Sequence, residues 1–420
     1  MPEKRLLLRS HLGVDFTRLD NYLNHGGFAM WKRALELGPD GITAEVKASG
    51  LRGRGGAGFP TGTKWGFLPK DGRPRYLVVN ADEGEPGTFK DRYFLEEDPF
   101  RQLEGILISA YAIGAHICYI YIRGEYWNSK AVTEDAVAQM YRAGWLGRNI
   151  QGSGFDLDVY VHSGAGAYIC GEETALIESI EGKPGMPRLK PPFPANYGVF
   201  GYPTIVNNTE TLAAVPVILE MGGAAWCDLG SPKNGGTKLV GVSGHVKNPG
   251  LFEVPMGTPM REIIYDLGGG ILDDKEILAI IPGGSSCPFL TKDEIDVPMD
   301  FDGLKAVGSM LGTACITVIA EGTDLIGVMG RVAKFYQHES CGQCTPCRQG
   351  TGWLHAIVQK LDAGAAGEEA IDLLVDACNG IDGNTICAHG EAAAWPIRSI
   401  CKKFRPQLEA AIRQRAAAAA

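Results

Sequence analysis

Apolar and polar positions along the chain first follow helical spacing. LDNYLNHGGFAMWKRALEL and ITAEVKASG carry that spacing up to about residue 48, with Thr43 placed to cap a short helix that stops at Gly50. This N-terminal stretch, residues 1–48, is expected to be helical and peripheral. YLVVN, from residue 76, is a buried strand by composition, and FDLDVYVHSG is a strand by alternation. Between them, the 18 residues from Gly105 to Ile122 imitate a membrane span. Gly114 and His116 interrupt the run, however, and the texture changes across them. ILISAYAIGA is expected to form a buried helix and ICYIYIR a buried parallel strand, with no direct membrane span. KAVTEDAVAQMYRAGWLG is a further amphipathic helix, so residues 49–235 follow a β-α-β rhythm. Around Lys238 the pattern shifts to strand, turn, strand, then a helix from Met260 capped by Thr258. With ILAIIP and TACITVIA, residues 236–323 form a small α+β unit resembling a β-grasp domain. Residues 324–420 are helical throughout, and Ala416 to Ala420 is a low-complexity end.

Composition narrows the class without choosing a function. The 420 residues are 45% apolar and 21% charged, as in a soluble globular protein of several domains. A net charge of −9 argues against a large nucleic-acid footprint. The opening MPEKRLLLRSHL has too short an apolar run for a secretory signal. Eleven cysteines, an odd number, point to a reducing compartment and to free or metal-bound thiols. Much of the excess among 57 glycines falls in two clusters.

The first cluster, LRGRGGAGFPTGTKW, places Gly53, Gly55 and Gly58 in a formal G-x-G-x-x-G. That fingerprint needs a strand before it and a helix after it. Here a helix precedes and Phe59-Pro60 follows, so a dinucleotide site of that kind is rejected. A glycine-rich backbone can still cradle an anion, and Arg52, Arg54 and Lys64 supply positive charge. Asp82, Glu83 and Glu85, in the turn after YLVVN, would repel a phosphate and suit sugar hydroxyls or the polar edge of a ring, if they are more than a solvated turn. The second cluster, SGAGAYICGEETALIESIEG, follows a strand and opens a helix with Glu172 and Glu173, which is also plain helix-dipole chemistry. In the Pro-rich loop of residues 189–212, Lys190 and Phe193 form a rim, while Asn207, Asn208 and Thr211 offer neutral hydrogen bonds.

ESCGQCTPCR spaces Cys341, Cys344 and Cys347 evenly, with Cys387 far downstream in TICAHG. Three close thiolates and one distant one suit a cubane iron–sulfur cluster, whose irons sit at separate corners. Zinc, which usually takes two separated ligand pairs, is the competing reading, and a plain reduced thiol cluster the other. Cys378 ends an apolar helical run and reads as a packed core thiol.

GRGGAGFPTGTKW, NADEGEPGTFKDR, GAYICGEETAL, ESCGQCTPCR and TICAHGEAAAWP together resemble the family of NADH-binding, FMN-containing subunits of respiratory complex I, from about residue 20 to residue 405. The resemblance implies a Rossmann-like FMN-binding domain of α/β class, a β-grasp domain and a C-terminal helical bundle holding a 4Fe-4S cluster. It implies FMN contacts at Gly53, Gly55, Gly56, Lys64, Asn80, Asp82, Tyr168, Gly171, Glu172, Asn207, Asn208 and Thr211. NADH would meet Phe59, Phe67 and Phe193 near its adenine and Glu85, Glu173 and Lys190 elsewhere, and Cys341, Cys344, Cys347 and Cys387 would hold the cluster. The resemblance further implies hydride transfer from NADH to FMN with no side-chain acid or base, and electrons leaving singly through the cluster. The implied partners are a 2Fe-2S 24 kDa-type subunit and a multi-cluster 75 kDa-type subunit. The implied location is the cytoplasmic face of a bacterial inner membrane, or the matrix side in a eukaryote. Diaphorase subunits of NAD-linked hydrogenases and formate dehydrogenases share the motifs, commonly with extra domains that are not visible here. One departure is His389, where many relatives have Leu after TICA; it is a conceivable alternative ligand, although four thiolates already complete the set.

Overall fold

In the computed structural model, which describes residues 3–419, four parallel strands form the first sheet. They are β1 (Tyr76–Ala81), β2 (Ile117–Ile122), β3 (Asp158–Ser163) and β4 (Thr204–Asn208), in the order β3–β2–β1–β4. Strand order therefore reverses between β1 and β4, and a crevice opens beyond their C-terminal ends. The longer helices of this unit are α1 (Ala29–Ala48), α2 (Pro99–Ile113), α3 (Trp127–Arg142), α4 (Glu173–Ile180) and α5 (Thr209–Met221). Alternation divides β1 cleanly. Leu77 and Val79 join the main core with α2 and α5, while Val78 packs with Leu176 and Ile177 of α4 on the opposite face.

The apolar run from Gly105 to Ile122 is a helix and a strand, as its pattern requires. Helix α2 stops at Ile113, and Gly114 takes the left-handed conformation (φ 66°) that lets the chain turn into β2. Gly105 lies where α2 crosses α5, since a Cβ there would stand 1.9 Å from the Leu212 carbonyl oxygen.

A second sheet contains β5 (Thr237–Gly244), β6 (Gly250–Pro255), β7 (Ile277–Ile281) and β8 (Cys315–Ala320), ordered β6–β5–β8–β7. The central pair is parallel and both outer pairs are antiparallel, as in a β-grasp sheet. The chain then forms α6 (Leu325–Glu339), α7 (Thr345–Asp362), α8 (Glu369–Ile381), α9 (His389–Lys403) and α10 (Arg405–Ala419). The bundle core is continuous with Ala279, Ile281 and Ile319 of the second sheet, so residue 324 marks a change of texture rather than a gap between cores.

Three local expectations are corrected. Thr43 caps nothing: α1 is broken at Gly38 and Pro39, and the Thr43 hydroxyl donates to the Pro39 carbonyl inside the resumed helix. Pro259, not Thr258, precedes the turn at Met260, because the Thr258 hydroxyl donates back to Pro255. The N-terminal stretch is not peripheral either. Leu7 and Leu8 are buried, and the amides of Leu6, Leu7 and Leu8 all donate to one carboxylate oxygen of Glu253 on β6. Met1, Pro2 and Ala420 of the outermost segments lie outside the described residues.

Candidate functional site

A cavity of about 400 Å³ occupies the crevice at the C-terminal ends of β1 and β4. All three units wall it. The first unit contributes Gly55, Gly56, Asn80, Asp82, Gly171 and Asn208; the second sheet adds Gly283 and Gly312; the helical bundle adds His389 and Trp395. The glycine loop is closed on itself, the Gly53 amide donating to the Phe59 carbonyl at 2.9 Å. It is tied to α5 by the Arg54 amide, which donates to the Thr211 hydroxyl at 2.8 Å. A Cβ on Gly55 would press on Asn208 at 3.1 Å, and Gly56 has φ 134°, which L side chains rarely adopt. The loop is therefore a bare backbone wall.

The cations expected to face this wall point elsewhere. Arg54 is buried and donates to the carbonyls of Gly235 and Thr237, while Arg52 lies over the Phe301 ring at 4.2 Å. Both brace the loop against the second unit, because a guanidinium with several donors satisfies backbone carbonyls that cross a domain boundary. Lys64 donates to Glu173 and to the Val206 carbonyl. The cation lining the cavity is instead Lys90, fully buried and within 2.7 Å of Asp91 and 3.0 Å of Glu210. Burial alone would lower its pKa, but Asp91, Glu210 and Glu83 outweigh that and keep it charged. Sequence reasoning missed Lys90. Its only signal was a lysine bracketed by Phe89 and Asp91 just after a ligand-binding turn.

The acidic turn separates into different tasks. Glu83 accepts from the amides of Asp91 and Arg92, which is structural work. Glu85 accepts from the Tyr168 hydroxyl at 2.6 Å and from the Ser286 amide at 2.7 Å, joining the first unit to the second. Asp82 is the one left over. Its Oδ2 is shielded from solvent without a hydrogen-bond partner, and burial raises its pKa to about 7. An orphaned carboxyl oxygen, a bare glycine wall and a buried cation in one cavity fit an anionic group bearing hydroxyls and an amide-like ring edge. FMN has that chemistry.

Gly53, Lys64, Asn207 and Thr211 stand behind the wall rather than on it. Asn207 accepts from the Trp65 indole at 2.9 Å, and Thr211 from Arg54. Glu172 lines the cavity and caps α4, accepting from the amides of Thr174 and Ala175. Outside the cavity, Phe59 and Phe67 pair at 5.9 Å between ring centres, and they and Phe193 are exposed. Lys190 donates to both Glu172 and Glu173 at 2.9 Å. Burial opposes ionisation of Glu173, but Lys64 and Lys190 overcome it and hold its pKa at about 2.

Cys341, Cys344 and Cys347 occupy the link from α6 into α7, where Cys344 precedes the helix and Cys347 lies in its first turn. Burial pushes the Cys347 thiol to about 11, and Cys344 and Cys341 add to the rise. Burial likewise takes Cys387 to about 12, with Glu172, Cys341 and Cys347 adding. The distant cysteine thus lies near Cys341 and Cys347, and it packs with Cys341 against the core formed by β1 and α4. The thiols are neighbours without being closed around a centre: among the described residues, no three His, Cys, Asp or Glu side chains converge as a ready metal site. Cys378 is fully buried in the bundle core, where burial raises it to about 12. Cavity and thiols meet at Tyr168, whose amide donates to the Glu339 carboxylate at 3.0 Å, two residues before Cys341.

Comparison with known proteins follows the same division. Residues 46–217 match the Nuo51 FMN-binding domain, residues 239–290 the SLBB domain, and residues 327–411 the NADH-ubiquinone oxidoreductase-F iron-sulfur binding region. The chain is 54% identical over 413 residues to the F subunit of NADH-quinone oxidoreductase from Rickettsia bellii, covering 98% of this chain and 99% of that one. It is 52% identical to the mitochondrial NADH dehydrogenase (ubiquinone) flavoprotein 1 of Dictyostelium discoideum, covering 99% and 88%. A chain of an NAD+-reducing NiFe-hydrogenase in its H2-reduced state superposes with a TM-score of 0.83 at 38% identity over 92% of this chain, which spans 65% of that one.

Proposed function

Because this chain belongs to the F-subunit family of NADH-quinone oxidoreductase, the NADH-oxidising, FMN- and 4Fe-4S-binding electron-input subunits, we propose how its residues divide that work. FMN occupies the cavity at the ends of β1 and β4. Gly55, Gly56, Asn80, Asp82, Tyr168, Gly171, Glu172 and Asn208 meet it, Lys90 supplies the buried positive charge, and Gly53, Lys64, Asn207 and Thr211 hold the wall from behind. NADH lies on the outer side, with Phe59, Phe67 and Phe193 as apolar contacts and Glu173 and Lys190 as polar ones, while Glu85 meets it from the cavity wall. Cys341, Cys344, Cys347 and Cys387 hold the cluster. Held by these residues, FMN would supply the chemistry that lets a two-electron hydride donor feed a one-electron carrier.

The chain's own residues align, exclude water and set charge. No side chain acts as acid or base on the hydride. Glu173 is kept ionised by Lys64 and Lys190, which offset its charge and fix its position as a polar contact for the nucleotide. The observation that carries this reading is Tyr168, which walls the cavity and hydrogen-bonds the residue leading into the cysteine loop. Partners are a 2Fe-2S 24 kDa-type subunit and a multi-cluster 75 kDa-type subunit. The protein works on the cytoplasmic face of a bacterial inner membrane, or the matrix side in a eukaryote; no described helix is long and apolar enough to cross a membrane.

An anaerobic absorbance and EPR spectrum recorded before and after NADH tests the assignment. Flavin bleaching and a reduced-cluster signal, with dithionite added if the cluster potential is low, are expected. A colourless protein containing zinc and no flavin would reject it. A second reading, a diaphorase subunit of an NAD-linked hydrogenase or formate dehydrogenase, is favoured by the hydrogenase-like superposition. Co-purifying partners separate the two.

A further inference from the structure

His389 is a buried histidine on the cavity wall whose two ring nitrogens have unequal company. Nε2 lies 2.9 Å from the Tyr336 carbonyl oxygen, and a carbonyl can only accept. Nε2 therefore carries the proton, and in the neutral ring Nδ1 is a bare acceptor. That Nδ1 is shielded from solvent and has no hydrogen-bond partner. The ring cannot easily turn to find one. Tyr168 packs edge-on against it at 5.8 Å and Tyr336 at 5.5 Å, and Tyr168 is itself held by Glu85 and Glu339. An acceptor fixed by its neighbours, buried and left unpaired beside a cavity is a place prepared for a donor.

We propose that His389 Nδ1 accepts a hydrogen bond from the flavin ring in this cavity and thereby favours the reduced flavin; the proposal rests on FMN occupying the cavity. The overall step is FMN + NADH → FMNH− + NAD+. The C–H bond of the nicotinamide breaks, its electron pair moves with the hydrogen, and a new ring N–H forms. Reduction thus creates a donor that oxidised flavin lacks, and an acceptor already in place is better satisfied after it than before. His389 is in this role a cofactor-tuning residue, with no proton to give at Nδ1. Its position two residues from Cys387 sets it on the side of the cavity nearest the thiols. A leucine at this position would leave the same wall with no acceptor.

The test uses the full chain with its partners, purified anaerobically as wild type, His389→Leu and His389→Asn, the last keeping an acceptor oxygen near the place of Nδ1. FMN and iron per chain are measured first, then the flavin midpoint potential by absorbance during a redox titration. His389→Leu is expected to keep FMN and iron while its preference for reduced over oxidised flavin falls about tenfold, which moves the midpoint to more negative potential. His389→Asn is expected to restore most of the shift. An unmoved midpoint in His389→Leu with FMN retained overturns the proposal, as does an equal shift in both variants. Loss of iron from His389→Leu overturns it differently, by making His389 a cluster ligand. Gly56→Val separates the underlying assumption: if FMN binds unchanged with the cavity wall filled, the flavin lies elsewhere and both readings fall.

Discussion

Lys90 and Asp82 show how far single residues in this site depend on their surroundings. Lys90 stays charged in a buried position because Asp91 and Glu210 stand within 3.0 Å of it. Lys90→Met should leave Asp91 and part of Glu210 uncompensated, since Lys238 still pairs with Glu210. The expected cost is about 3 kcal/mol in urea unfolding, together with reduced FMN content in the purified chain. Asp82 behaves in the opposite way. Its usual pKa is 3.8 and burial raises it to about 7 in the fold, so the folded chain binds this proton more tightly than the unfolded one. Stability of flavin-free protein should therefore fall as pH rises from the lower value to the higher, and level off above it. Asp82→Asn should remove about 1–3 kcal/mol of that fall, read from urea titrations across the window. A parallel slope in wild type and variant would show that Asp82 titrates normally.

At the scale of elements, the periodicities were nearly sufficient for the strands and the long helices, and weak at their ends. The alternation of YLVVNA divides its residues between two cores, one on each face of the sheet. Capping was harder to see, because Thr43 and Thr258 have the right side chain for a cap but bond backward to Pro39 and Pro255. Glu172 shows the reverse: the bland reading of a carboxylate at a helix start is correct, and the same residue also faces the cavity. For the cysteines, spacing identified the three leading into α7, the apolar run before Cys378 marked it as a core thiol, and its full burial agrees. Cys387→Ala should lose the cluster, measured as iron and acid-labile sulfide. Cys378→Ala should keep it at a cost of about 1 kcal/mol, since that thiol fills core space in α8. The reverse pattern would move the fourth ligand.

Across the whole molecule, buried charged and polar contacts join units that the sequence separates. Glu253 gathers three N-terminal amides and the Thr237 hydroxyl, and Arg9 pairs with Asp98 in the first unit. The N-terminal segment thus ties the start of α2 in the first unit to β6 of the second sheet. Glu253→Ala should cost about 3 kcal/mol by leaving those donors short of an acceptor, and should speed tryptic release of the segment. Unchanged melting and digestion would mean that this tie is not stabilising. Sequence alone determined the order of the three units, the two glycine loops, the thiol spacing and, through the family motifs, the cofactors, because periodicity, glycine content and close spacing are properties of neighbouring residues. It placed Arg52, Arg54 and Lys64 around the first loop but not the partners that take up their donors, it did not single out Lys90 on the cavity wall, and it offered no sign of the paired surroundings of His389. Those were decided by tertiary structure alone. Which way a buried charge points, and which acceptor is left without a donor, depends on groups brought together from distant parts of the chain.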